Sequence, residues 1–213
     1  MNWPKAISRP GPPSKVNGGV NSVRDGVVCH SMVGGWLAAM GELDNPLRRA
    51  SWHYSVLQDG RVLAHYPDEA RTWHAGSAFN NSTIGIEHEG GLQPTDEPLT
   101  PAQLSASVEL VRWLAQAHGF PLVRGVGLHE HNEVSGAPTA CPSDRIPWHY
   151  YTEEDDMAAI QLVWNPDFGR LYVLGQGDPR WVAEPVAAAE LQAAYGTPKV
   201  ALGWRTLKAL GAS

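Results

Sequence analysis

A short apolar run that ends in a cysteine and a histidine most strongly limits how this chain can fold. Residues 26–28 are Gly-Val-Val, and Cys29 and His30 follow them. His131 and the second cysteine, Cys141, come much later in the chain. Two imidazoles and one thiolate form a three-ligand zinc site, which leaves the fourth position of the tetrahedron open for water. A fold that uses these residues together must bring a buried strand and a distant loop to one place.

The two cysteines could instead form one disulfide. On a strand, neighbouring side chains point to opposite faces, so if His30 faces a metal, Cys29 faces the core. The opening residues lack the apolar core of an export signal, and a cysteine near histidines in such a chain favours a metal site over a disulfide. We therefore expect Cys29 to be a small core residue and Cys141 to be a thiolate ligand.

The bulk composition excludes some classes of partner. The chain is 213 residues long, which suffices for one full core and a small appendage. Its net formal charge of −6 argues against a protein that binds nucleic acid by neutralising phosphates. No apolar run approaches membrane-spanning length, so a membrane is not an expected partner either. The sequence leaves the oligomeric state open.

Turn residues and apolar spacing predict an α/β fold, with a mixed central β-sheet flanked by helices. Asp59-Gly60 is a hairpin turn between two runs of strand-forming residues. Thr100 and Pro101 predict the start of a helix, and Gly119 predicts its end. The expected strands are residues 26–30, 51–57, 61–66 and 83–90, and the expected helices are 101–118 and 31–40, the latter with Trp36, Leu37 and Met40 facing inward.

We expect the chain to divide near residue 156. Residues 1–156 form the main domain, which begins with a proline- and glycine-rich arm. The acidic run at 153–156 is a helix start or a linker, and beyond it the acidic excess disappears. Residues 157–213 are expected to form a small α+β appendage. Its expected elements are a hairpin-like segment at 169–175 and helical patterns near 184–195 and 203–210.

The strand at 83–90 carries two candidate bases. Strand alternation places Glu87 and Glu89 on one face, opposite the isoleucines. A carboxylate inside such an apolar strand is costly to bury without a purpose. Beside a zinc site, Glu87 could accept the proton of an attacking water and pass it to the leaving nitrogen. A structural ion pair with an arginine is the alternative, and Glu89, nearer the strand end, is the rival base.

Three further histidines have open roles. His129 and His131 are two residues apart, so on a strand they share a face and either could be a ligand. His74 lies in the loop Trp73-His74-Ala75-Gly76 and could donate a hydrogen bond to a developing oxyanion, or have no catalytic part. Trp73 is expected to pack against either the substrate or the protein core. His53 is expected to be a structural, hydrogen-bonded histidine.

Together these motifs resemble the zinc-dependent N-acetylmuramoyl-L-alanine amidases of the type-2 family, which share a fold with peptidoglycan recognition proteins. The resemblance covers roughly residues 20–151, and four motifs follow the family's order. The motifs are Val27–Ser31, Trp52–Tyr54 with Asp59-Gly60, Trp73–Gly76 leading to Ile84–Gly90, and His131 through Cys141-Pro142.

The family pattern implies that His30, His131 and Cys141 bind zinc. In bacterial members the third ligand follows a histidine after ten positions, which fits His131 and not His129. The resemblance also implies that Glu87 is the general base. The expected cofactor is therefore Zn²⁺.

Two departures from the family pattern shift the expected roles. Trp52 stands where some phage members have a tyrosine, and a tryptophan cannot do acid–base work. Thr139 stands where many members have a lysine, so it can donate a hydrogen bond but brings no positive charge. Stabilisation of the oxyanion must then rely on zinc, Thr139 and His74. Trp52 and Trp73 are the expected substrate contacts.

The resemblance implies a cell-wall lytic enzyme that cleaves the amide bond between N-acetylmuramic acid and L-alanine in peptidoglycan. A phage endolysin, held in the host cytoplasm until it is released to the cell wall, fits the lack of an export signal. The alternatives are a peptidoglycan-binding module without turnover, a cytoplasmic amidase that recycles muropeptides, and a zinc peptidase that cuts within the stem. Residues 157–213 lie outside the resemblance and could target the cell wall.

Overall fold

The computed structural model describes residues 2–20, 23–76, 78–91, 97–152, 161–165, 170–174, 180–181 and 200–201. The chain divides into two units, Met1–Thr152 and Glu153–Ser213. The division follows Thr152, whereas the sequence predicts it near residue 156.

A six-stranded mixed sheet organises the first unit. The strands of this unit are β1 (Ile7–Ser8), β2 (Asn17–Val20), β3 (Gly26–Ser31), β4 (Tyr54–Val56), β5 (Val62–Ala64), β6 (Ala70–Arg71), β7 (Thr83–His88) and β8 (Leu128–Glu130). The sheet has the order β1-β5-β4-β7-β3-β8. Strands β4, β7, β3 and β8 run parallel, whereas β4 and β5 form the antiparallel hairpin predicted around Asp59-Gly60. Strands β2 and β6 pair separately.

Short helices and one long helix surround this sheet. The helices are α1 (Trp36–Asp44), α2 (Phe79–Ser82), α3 (Pro101–His118), α4 (His131–Val134) and α5 (His149–Thr152). The long helix α3 has the predicted ends, because the Thr100 hydroxyl accepts a hydrogen bond from the Gln103 amide and Gly119 adopts a φ of 77°. Among the described residues, no helix combines the length and the apolar character needed to cross a membrane.

The strand register gives the sheet one apolar face and one partly polar face. On the apolar face Cys29 and Ile86 are partners, and α3 covers this face through contacts such as Ser107 with His88. Cys29 is fully buried, which confirms its predicted place in the core. On the opposite face His30, Glu87 and Ser55 form one row across β3, β7 and β4. The polar row lies where the parallel strands end, which is the usual place for a site in such sheets.

Helix α1 begins later than the sequence predicts. Strand β3 continues through Ser31, and Val33 and Gly34 then adopt φ values of 53° and 150°, which are incompatible with a helix. Within α1, Met40 is buried and Trp36 packs against the core, as predicted, while Leu37 is 71% exposed. The prediction of a helix over 31–40 with Leu37 inward is therefore wrong.

The N-terminal arm is part of the folded unit. Strand β1 adds a parallel edge to β5, and the Trp3 amide donates a hydrogen bond of 3.0 Å to the Tyr54 hydroxyl. The ammonium of Lys15 is buried and donates to the carbonyl oxygens of Glu42 and Asn45 near the end of α1. These contacts satisfy the buried charge and attach the arm to the domain.

The second unit contains a four-stranded sheet in the order β11-β10-β9-β12. Its strands are β9 (Gln161–Asn165), β10 (Arg170–Leu174), β11 (Arg180–Trp181) and β12 (Val200–Ala201). Strands β9 and β10 are antiparallel, so the segment predicted as hairpin-like at 169–175 supplies one strand, β10, and its partner β9 lies earlier in the chain. The helical patterns predicted at 184–195 and 203–210 lie outside the described residues.

Candidate metal centre and catalytic site

The ligand atoms of His30, His131 and Cys141 lie within 4.8 Å of one another. Strands β3 and β8 are parallel and end at the same sheet edge, so they bring the end of β3, with His30, close to His131. The Nδ1 atom of His30 is 4.0 Å from the Sγ atom of Cys141. Zinc bonds of about 2.0–2.3 Å place donor atoms about 3.5 Å apart in a tetrahedron, so small side-chain shifts let these residues hold zinc.

Of the two neighbouring histidines, His131 joins this cluster and His129 does not. Strand β8 ends at Glu130 and His131 is the first residue of α4, so the alternation of a single strand does not extend to His131. The Nε2 atom of His129 lies 2.9 Å from the carbonyl oxygen of Val126, and its ring packs edge-on against Phe79. The expectation that one strand carries both histidines is therefore wrong, although the preference for His131 agrees with the geometry.

Backbone amides hold the Cys141 loop against the end of β3. The Ser31 amide donates to Sγ of Cys141 over 3.2 Å, and the Asn132 amide donates to the Cys141 carbonyl over 2.8 Å. Both cysteines are free thiols. Burial and the nearby Glu87 carboxylate raise the pKa of the Cys141 thiol to about 12. A bound cation reverses this preference, because metal coordination stabilises the thiolate.

Glu87 lies beside the cluster with one carboxylate oxygen unpaired. Glu87 and His30 are direct partners in β7 and β3, so their side chains project from the same face. The Oε2 atom is buried without a hydrogen-bond partner among the described residues, and burial raises the pKa of Glu87 to about 8. The rival, Glu89, accepts hydrogen bonds from the amides of Trp36 and Gln58, so both of its oxygens are engaged. The geometry therefore favours Glu87 as the proton acceptor.

His74 lies beneath His30 rather than beside an open substrate position. Its Nδ1 atom is 3.4 Å from Nε2 of His30, and its Nε2 atom is 3.4 Å from the carbonyl oxygen of Thr83. Burial lowers the pKa of His74 to about 3. Both ring nitrogens face protein atoms, so this geometry does not present His74 as a hydrogen-bond donor to an oxyanion.

Residues 20–144 match the protein family described as N-acetylmuramoyl-L-alanine amidase. The chain belongs to this amidase family. The match contains strands β3 to β8, the three candidate ligands and Glu87. It ends before α5 and the second unit.

Individual relatives of this amidase agree with the assignment. N-acetylmuramoyl-L-alanine amidase A of Achromobacter lyticus is 27% identical over 168 residues, which cover 71% of this chain and 93% of that protein. The endolysin amidase LysCS of Clostridium intestinale URNW has a TM-score of 0.53 at 19% identity, covering 70% of this chain and 94% of that one. A selenomethionine derivative of AmpD has a TM-score of 0.56 at 19% identity, covering 70% and 93%. These similarities confirm the predicted fold, a mixed sheet flanked by helices.

The amidase structure separates the two tryptophans expected to contact substrate. Trp52 is 5% exposed, packs in the core with α1, and donates to the Ser55 hydroxyl over 2.8 Å, so it offers little surface for contact with a substrate. Trp73 is half-buried and directly precedes His74. Thr139 is also half-buried, and its hydroxyl oxygen accepts from the Cys141 amide over 3.2 Å. That bond leaves the hydroxyl hydrogen of Thr139 available for donation.

Sequence reasoning missed a buried arginine that supports the loop carrying Cys141. Arg145 donates to the Ser31 hydroxyl over 2.7 Å, and this hydroxyl in turn donates to the Pro142 carbonyl over 3.2 Å. Gly90 and Gly91 make room for the guanidinium, since a Cβ atom at either position would lie 2.9 Å from it. Their positive φ values, 98° and 75°, also suit glycine. The adjacent glycine pair is the sequence signal that could have indicated this close approach.

Proposed function

We propose that this chain is a zinc-dependent amidase that hydrolyses the bond between N-acetylmuramic acid and L-alanine in peptidoglycan. The observation that carries the proposal is Glu87, whose unpaired buried oxygen lies beside the convergent His30, His131 and Cys141. The family membership supports the substrate class. When bound, zinc would polarise the scissile carbonyl and lower the pKa of a water molecule.

The protein side chains bind the metal, transfer the proton and stabilise the oxyanion. His30, His131 and Cys141 hold the metal. Glu87 accepts the proton of the attacking water and delivers it to the alanine nitrogen, which can then leave. A neighbouring cation favours the carboxylate form of Glu87, so the carboxyl can act as a base near neutral pH. The Thr139 hydroxyl donates to the developing oxyanion, and no lysine charge assists it there.

The biological setting is part of the same proposal. Endolysins among the structurally similar proteins support a role as a phage lytic enzyme that acts on the cell wall. The second unit, residues 153–213, would then serve cell-wall targeting. The half-buried Trp73 remains the candidate aromatic contact for the substrate.

The direct test is mass spectrometry of purified peptidoglycan after digestion. The expected products are free stem peptides that begin with L-alanine, formed with zinc and absent after chelation. Glu87→Gln should lower the turnover rate by about 10²- to 10⁴-fold while zinc binding persists. Glu109→Gln, which removes an exposed carboxylate of α3, is the matched control and should retain the full rate.

Other products would contradict the proposal in distinct ways. Fragments cut within the stem would identify a peptidase, and binding without any new amino termini would identify a recognition module. Comparing the rates of cleavage of intact cell walls and of soluble muropeptides distinguishes a lytic enzyme from a recycling enzyme. Rapid cleavage of muropeptides alone would favour recycling over lysis.

A further inference from the structure

Two buried imidazole rings, those of His30 and His74, lie next to each other at the candidate metal site. Nε2 of His30 lies 3.4 Å from Nδ1 of His74, while the other ring nitrogen of His30, Nδ1, lies 4.0 Å from Sγ of Cys141. His30 therefore turns one nitrogen towards the ligand cluster and the other towards His74. A neutral imidazole carries its proton on only one nitrogen, so the partner on each side decides which nitrogen can bind a metal.

The surroundings of His74 determine where its own proton lies. Nε2 of His74 is 3.4 Å from both the carbonyl oxygen and the hydroxyl oxygen of Thr83. The Thr83 hydroxyl donates its hydrogen to the carbonyl of Phe79 over 2.6 Å, so towards His74 it can only accept. Both partners of Nε2 are thus acceptors, and Nε2 must carry the hydrogen. In a neutral ring this leaves Nδ1 of His74 as an acceptor that faces His30.

We propose that His74 is a positioning residue that fixes the tautomer of His30. By accepting a hydrogen bond from Nε2–H of His30, it leaves the lone pair of His30 Nδ1 directed at the cluster shared with Cys141. Groups that hydrogen-bond the far nitrogen of a ligating histidine orient the ring and raise its affinity for metal. The inference rests on the zinc site of the proposed function. It replaces the expectation that His74 donates to an oxyanion.

The absence of a side chain at Gly85 leaves space for the His74 ring. A Cβ atom at Gly85 would lie 2.5 Å from Cγ of His74, so the ring packs directly on the backbone of β7. Glycine inside a buried strand is unfavourable, and close approach of another group is the usual reason for it. The amides of His74 and Ala75 both donate to Oδ1 of Asn80, at 3.0 and 2.7 Å, which fixes the loop. Two independent features thus hold the ring under His30.

The test compares two side chains of similar size in place of the imidazole. His74→Asn keeps an oxygen acceptor attached to Cγ, where Nδ1 of the imidazole is attached, whereas His74→Leu has a similar shape and no acceptor. His65→Gln is the control. His65 is also buried but bonds to the Ser55 hydroxyl and the Arg9 carbonyl rather than to His30. Each full-length variant is assayed for zinc affinity by chelator competition and for the His30 tautomer by nitrogen NMR of the metal-free protein.

His74→Leu should weaken zinc binding by about 10- to 100-fold and let His30 populate both neutral tautomers. His74→Asn should restore most of the affinity and the single tautomer, and His65→Gln should leave both unchanged. Unchanged zinc affinity and tautomer in His74→Leu would overturn the inference. Neither measurement uses peptidoglycan. If the variants show that zinc binding depends on His74 but the wild-type protein cleaves no peptidoglycan, the proposed function is refuted and the positioning role still holds.

Discussion

At the scale of single residues, Glu87 shows what sequence can and cannot predict. The Ile-Gly-Ile-Glu pattern predicts a carboxylate in a buried strand, and the structure places it beside His30. The sequence does not distinguish its environment from that of Glu89, because the difference is made by two amides from other parts of the chain. The role of His74 is hidden for the same reason, since a tautomer depends on partners that only the fold brings together.

Glu87 should make the stability of the metal-free protein depend on pH. Its folded pKa, about 8, lies above the unfolded value near 4.5, so the native state holds a proton that the unfolded state releases between these values. Stability from this group is therefore present at low pH and is lost as pH rises from about 4.5 to 8, by an amount on the order of 5 kcal/mol.

Urea unfolding in chelator checks this dependence. Glu87→Gln cannot ionise, so its stability relative to wild type should be greater at pH 8 than at pH 5. Equal differences at the two pH values would show that the Glu87 carboxyl is not destabilised by burial.

At the scale of elements, the parts with strong local signals are predictable. The hairpin around Asp59-Gly60 and both ends of α3 agree with the sequence, because turn and capping residues act locally. Helix α1 is not predictable in this way. Its start depends on Val33, a β-branched residue with a φ of 53° that the sequence gives no reason to expect. Leu37 also faces outward, against the prediction.

Thr100 should contribute measurably to α3. Its hydroxyl accepts from the Gln103 amide and donates to the Gln58 carbonyl, so it caps the helix and ties it to the β4–β5 turn. Thr100→Ala is expected to lower the free energy of unfolding by about 1–2 kcal/mol. Thr100→Ser keeps both hydrogen bonds, so its free energy of unfolding should fall by only about a few tenths of a kcal/mol. Denaturant unfolding measures both, and equal losses in the two variants would exclude a capping role.

At the scale of the whole molecule, the three candidate ligands come from segments that are distant in sequence. His30 lies near the end of β3, early in the chain, while His131 and Cys141 follow α3. The parallel arrangement of β3 and β8 explains this convergence, because both strands end at the same edge. The motif order predicts which residues meet. It cannot predict the buried support from Arg145, which donates to Ser31, Glu89 and Glu97 in three separate segments.

Zinc should therefore stabilise the folded first unit, which supplies all three candidate ligands. A ligand that binds only the native state adds about 2.7 kcal/mol when its free concentration is about one hundred times the dissociation constant. Calorimetry should show a higher melting temperature with zinc than with chelator, and magnesium should have no effect because it disfavours thiolate ligands. His131→Ala should abolish the response, whereas His149→Ala, at an exposed histidine, should retain it. Identical melting of the zinc-loaded and chelated wild-type protein would show that these three side chains do not share an ion.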